Sequence, residues 1–108
     1  MIVVNTDFIP GKKVVEVVGL VRGNSVRVRH IGRDILAGLR TIIGGEVVEY
    51  TKMLGETREQ ALDRMVEEAF KLGADAVINV RFSTSQIMKA AAELLAYGTA
   101  VKTVDEAL

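Results

Sequence analysis

A chain of 108 residues is long enough for one domain with a single modest core, and 49% of this one is apolar. It has no cysteine, no tryptophan and one histidine. That excludes disulfides, thiolate nucleophiles and thiolate metal sites. Its formal net charge is zero.

The charge is unevenly spread. Residues 1–45 hold seven Lys/Arg against three Asp/Glu, and residues 46–108 hold seven against eleven. A basic half and an acidic half suit either an anionic ligand or a head-to-tail contact between copies. The mean hydropathy of +0.26 is high for so small a body, which leaves much of its surface in water. Glu16 and Arg22 interrupt the best apolar run, well short of the roughly 18 residues of a spanning helix. Met1–Asp7 lacks the basic region of a signal peptide. The expectation is a cytoplasmic protein with no membrane partner.

In chain order, Ile2–Val4 reads as a short strand, followed by a turn around Pro10 and Gly11. Val14–Val28 is rich in β-branched residues and reads as one long strand. Gly19 and Gly23 mark bulges, a bend or close backbone approach. With apolar residues on both faces, this strand is expected to be central or covered on each side. Ile31, Ile35, Leu39 and Ile42 recur at helical spacing, and Gly44–Gly45 ends that short helix.

From Glu46 to Leu72 the spacing is again helical, and Leu62, Val66 and Phe70 widen the apolar stripe beyond the ~100° that one core contact requires. Thr57 and Gln60 match a capping box, yet the pattern favours one continuous helix through Gly55, stopped at Gly73. Ala76, Ile78, Val80 and Phe82 alternate with Asn79, Arg81 and Ser83, giving a strand over 76–84 with one dry and one polar face. Residues 85–92 read as a hairpin tip, and Leu94–Val104 as the closing strand. The whole is a single α+β domain, β-α-β-β, with a small, mainly antiparallel sheet covered by one long helix. Three main strands leave two long edges whose N–H and C=O groups need partners.

The chemistry-bearing residues are few. His30 and Asp34 share a helical face at i, i+4, but a metal needs more ligands than that pair supplies. Glu46, Glu49, Glu56, Glu59, Glu67 and Glu68 alternate with Lys52, Arg58, Arg64 and Lys71, as on a solvated helix. Arg22, Arg27, Arg29, His30, Arg33 and Arg40 form a basic run without an aromatic between Phe8 and Tyr50. That pattern argues against nucleic acid, which is gripped by stacking as well as charge, and leaves a small anionic ligand.

Arg81, Ser83, Tyr97 and Thr99 fall on adjacent strands whose polar side chains share one face, with Gly98 opening room beside it. With Arg33 they are the candidate residues, either for a ligand or for hydrogen bonds across a subunit seam. No catalytic set, resident metal site or cofactor motif is present, so the leading reading is a binding or scaffold module. The alternatives are a metal or metalloid binder, and an enzyme whose site lies between subunits and uses Arg81 and Tyr97.

Gly32-Arg33-Asp34, Ile42-Ile43-Gly44-Gly45, Leu72-Gly73-Ala74-Asp75-Ala76-Val77, Arg81-Phe82-Ser83-Thr84-Ser85 and Ala96-Tyr97-Gly98-Thr99-Ala100-Val101 follow one another. In this order, over nearly the whole chain, they resemble the YbjQ-like family. The resemblance implies a dodecin-subunit-like fold and assembly with itself into a homo-oligomeric ring, typically a pentamer. The family carries a heavy-metal-binding label. Soft metals favour sulfur or clustered imidazoles, whereas here thiols are absent, His30 stands alone, and Met1, Met53, Met65 and Met88 lie far apart in sequence.

Overall fold

A computed structural model of the chain describes residues 1–28, 42–43, 46–88 and 91–107. Its elements are β1 (Ile2–Val3), β2 (Lys12–Val28), β3 (Ile42–Ile43), β4 (Glu46–Val47), α1 (Val48–Lys71), β5 (Ala76–Met88) and β6 (Ala91–Asp105). The main sheet is four-stranded and mixed, in the order β1-β5-β6-β2. β1 runs parallel to β5, and the other pairings are antiparallel. The expected β-α-β-β order of long elements is therefore present as β2-α1-β5-β6. No helix among the described residues is long and apolar enough to cross a membrane.

β2 is a single 17-residue strand, as its β-branched run requires. Register shifts against β6 leave Val15 and Val18 as extra residues, so the strand is bulged twice. The expectation that β2 is central or covered on both sides is not met. It lies at the sheet edge, and α1 covers one face only. Val21, Gly23 and Ser25 are buried on that face, while Leu20 and Val26 on the other are 63% and 48% exposed. Apolar residues on both faces signalled contact on both sides, but one helix can cover only one.

α1 is continuous through Gly55, and Thr57 sits inside it, 2% exposed against the sheet, rather than capping a second helix. Its buried stripe is Thr57, Ala61, Met65 and Ala69, spaced four apart, with Leu62 and Val66 half-buried beside it. Small residues face it from the sheet. A Cβ at Gly23 would run into the Ala61 carbonyl oxygen and the Met65 amide nitrogen. Met65, Val21, Val77, Leu94, Ala96 and Ala100 complete this core. α1 lies over β2 and β6 and barely reaches β5. Phe82 on β5, paired with Ala96 on the helix side, is consequently 48% exposed, and Phe70 on α1 is 76% exposed.

β5 departs from simple alternation. Ile78 pairs with Thr99 but Arg81 with Tyr97, so β5 carries one extra residue. Asn79 occupies it with φ of +55°, a left-handed conformation that asparagine tolerates better than most residues. The bulge places both Val77 and Val80 on the helix side, where strict alternation assigned Val80 alone. A second, smaller core of Ile9, Ala76, Ile78 and Val101 fills the opposite face at this end of the sheet.

The N-terminal segment follows β5 past the bulge. Val4 N–H donates to Val77 O at 3.0 Å, Val80 N–H to Val4 O at 3.0 Å, and Asn79 N–H to Thr6 O at 2.9 Å. Strand pairing runs further than the sequence pattern suggests: of residues 85–92, read as a hairpin tip, 85–88 and 91–92 belong to the β5–β6 ladder, with Met88 opposite Ala91, and 89–90 lie outside the described residues. Most of the short helix expected over 31–42 lies outside the described residues, but Ile42 belongs to β3, which pairs with β4.

Candidate functional site

Cross-strand register brings the sequence candidates together on the face of the sheet away from α1. Arg81 lies directly opposite Tyr97, and Thr99 opposite Ile78. Ser83 pairs with Leu95, two residues from Tyr97 on the same side of β6. Arg81 and Ser83 are exposed, and Tyr97 and Thr99 half-buried. Arg33, with His30 and Asp34, lies outside the described residues.

Gly98 does not open room on this face. It points to the helix side, where an added Cβ would meet Val77 Cγ1 at 2.7 Å and Ile78 O at 3.0 Å. Val80 Cγ2 follows at 3.2 Å, and it is the β5 bulge that sets Val77 and Val80 on the same side, which strict alternation would have kept apart. Gly98 is thus a packing requirement of the core.

The residue that sequence reasoning left out of the site is Arg22. It lies directly opposite Tyr97 from the β2 side, so Arg22, Tyr97 and Arg81 form one row across three strands. Opposed side chains in such ladders stand about 4.5–5.5 Å apart at Cβ. Tyr97 therefore has a guanidinium-bearing neighbour on each flank. Only the β2–β6 register could identify Arg22, because 75 positions separate it from Tyr97 and its own neighbours assign it to a basic run.

Among the described residues, neither Arg22 nor Arg81 stands within ion-pair distance of a carboxylate. Arg81 is oriented by the N-terminal segment: its Nη1 donates to Asn5 O at 2.8 Å and to Val80 O at 3.0 Å. Further along the face, Asn24 Nδ2 donates to Glu93 Oε2 at 3.4 Å. The row itself carries two cations and an aromatic ring, and the carboxylate hydrogen-bonded to it among the described residues, Glu68, accepts from the Arg22 main chain at the outer edge of β2.

Polar groups on the other side of β2 satisfy one another. Ser25 Oγ donates to Gln60 Oε1 at 2.8 Å, and Arg27 Nε to Thr57 Oγ1 at 3.2 Å. In a shallow groove of about 310 Å³ between β2 and α1, Arg64 donates to Asn24 O and Lys71 pairs with Glu67 at 3.1 Å. The backbone N–H of Arg22 donates to Glu68 Oε2 at 3.4 Å in the same groove. Glu56, Glu59, Glu67 and Glu68 are all exposed.

Among the described residues no three or more His, Cys, Asp or Glu side chains converge as metal ligands. Met65 is fully buried in the core, so its thioether is not offered to a soluble ion. The donor set among the described residues does not fit a soft heavy metal.

Known proteins resemble the chain over nearly its full length. It is 55% identical over 105 residues to a UPF0145 protein of Methanosarcina acetivorans, covering 97% of this chain and 99% of that one. It is 60% identical over 102 residues to a UPF0145 protein of Archaeoglobus fulgidus, covering 94% of each. The crystal structure of a DUF74-family protein of unknown function from Pediococcus pentosaceus has the same fold. It superposes with a TM-score of 0.71 at 15% identity, covering 96% of this chain and 98% of that one. A family model described as "putative heavy-metal-binding" matches residues 1–104, and the chain belongs to that YbjQ family.

Proposed function

We propose that the chain is a non-catalytic, self-assembling binding and scaffold module whose copies join head to tail into a ring. Five subunits is the number that the family resemblance implies. The observation that carries the reading is that the sheet ends in two different edges, neither joined to a further strand over its exposed length among the described residues. Among these, β2 pairs only with β6, and on its other side α1 supplies side chains alone, Glu68 accepting from the Arg22 N–H and Arg64 donating to the Asn24 carbonyl. On the opposite side, β1 and the N-terminal segment cover β5 up to Val80, and the edge from Arg81 onward has no backbone partner among the described residues.

Exposed strand edges favour pairing with another chain. Two unlike edges on opposite sides of a subunit make a heterologous contact, which closes into a ring when the rotation allows. Apolar groups flank both edges: Val17 and Leu20 on β2 are 65% and 63% exposed, and Phe82 on β5 is 48% exposed. The shape agrees. The radius of gyration is 17.7 Å, against about 13 Å for a compact domain of roughly this length.

Sedimentation velocity at micromolar concentration tests the reading. The expected result is one species several times the 11.7 kDa subunit mass. A stable monomer overturns it.

A further inference from the structure

We infer that Arg22, Tyr97 and Arg81 form a binding site for a small planar anion, an aromatic ring bearing a carboxylate or phosphate that lies over Tyr97. The row is complete within one chain and does not depend on the proposed assembly. Three observations carry it. The first is the register, which sets one guanidinium-bearing side chain on each side of the same tyrosine. An aromatic ring favours a second ring stacked on it, and guanidinium groups at its margins favour an anion there.

The second observation is electrostatic. Neither guanidinium is in an ion pair among the described residues; Glu93, on the same face, accepts from Asn24, and Glu68 accepts from the Arg22 backbone N–H at the strand's outer edge. Two cations each one strand from a common neighbour repel each other, and an anion between them relieves that repulsion. The third is the posture of Arg81. Among the described residues both of its hydrogen bonds leave from Nη1, and the Nε–Nη2 side of the fork, which grips carboxylate or phosphate with two parallel bonds, makes none.

The surroundings select for size. Leu20 and Thr99 lie on one side of the row, and Asn24 and Leu95 on the other. Among the described residues Tyr97 is the only aromatic side chain on this face of β2, β5 and β6. A single-stranded nucleic acid is held by successive stacking platforms, so one platform suits one ring.

Isothermal titration of the purified chain with adenosine monophosphate, benzoate, inorganic phosphate and adenosine tests the site, and the first two separate a phosphate from a carboxylate source. Adenosine monophosphate, benzoate or both are expected to bind one per chain, at least about tenfold more tightly than phosphate or adenosine alone. The double variant R22Q/R81Q and the single variant Y97L are each expected to weaken that binding about tenfold or more, whereas Y97F retains it. Arg22 and Arg81 are exposed, so their replacement leaves the fold intact, as circular dichroism will check. Absence of binding by both ring anions, phosphate binding as tightly as either, or unchanged binding by R22Q/R81Q overturns the proposal. Sedimentation of the same samples reads assembly separately, so a monomer that binds the ring anion rejects the ring and keeps the site.

Discussion

Gly23 on β2 lies against Ala61 on α1 so closely that a methyl group would run into the Ala61 carbonyl oxygen. This approach lets the helix settle onto the edge strand and seals Val21, Met65 and Ala96 from water. The obstructing atoms are main-chain atoms of a regular helix, so no side chain can rotate away to make room.

Gly23→Ala is therefore expected to force α1 outward and to cost about 2 kcal/mol or more, at the upper end of ordinary overpacking. Urea denaturation followed by circular dichroism measures it. A variant as stable as the parent would show that the helix does not rest this close to β2.

Asn79 is the non-glycine described residue with positive φ, at +55°. Replacing it with glycine removes any Cβ conflict and is expected to leave stability within about 1 kcal/mol of the parent. Asn79→Val puts a β-branched side chain in a left-handed conformation and is expected to cost about 1–3 kcal/mol. The contrast between the two thermal midpoints is the measurement. Equal effects would mean that the bulge is not held in this conformation.

Lys12 and Asp105 join the start of β2 to the end of β6. The hydrogen bond from Lys12 and then its charge hold the Asp105 carboxyl below its ordinary value of 3.8. A depressed folded-state pKa contributes stability that is fully present above 3.8 and is lost as pH falls through the lower folded value. The parent is thus expected to exceed Asp105→Asn slightly in thermal midpoint near neutral pH, with the gap narrowing as pH falls below 3.8. Because the carboxylate is exposed, high salt should shrink the gap as well. A gap independent of pH would mean that asparagine acts through something other than charge.

Leu20 and Phe82 stand on opposite sides of the sheet, beside the two edges that lack a further strand among the described residues. Leu20→Lys and Phe82→Lys are each expected to shift the assembly toward monomer in sedimentation velocity, since a charge would be buried at either end of a head-to-tail contact. Both positions are exposed within the subunit, so helix content should hold. Assembly insensitive to both changes would place the contact elsewhere.

Much of this architecture was legible from residue spacing. The β-branched stretch before Val28, the helical repeat ending at Ala69 and Leu72, and the stop at Gly73 each state their element locally, through side-chain shape and periodicity. Arg81, Ser83, Tyr97 and Thr99 were placed on one face by the same logic, and they do share it. Gly98 escapes that logic because its side-chain neighbours Val77 and Val80 come from another strand, whose bulge shifts the alternation. Arg22 was missed for the same kind of reason, since its opposition to Tyr97 is a property of pairing.

By itself the sequence determined the long strands and the long helix, and that thiol chemistry is excluded, because propensity, periodicity and composition act over a few residues. The tertiary structure alone decided that the longest strand lies at an edge, that the helix leaves β5 bare, and that two arginines bracket one tyrosine. Those outcomes depend on register and on where a single helix comes to rest, and a one-residue bulge is enough to change which side chains meet.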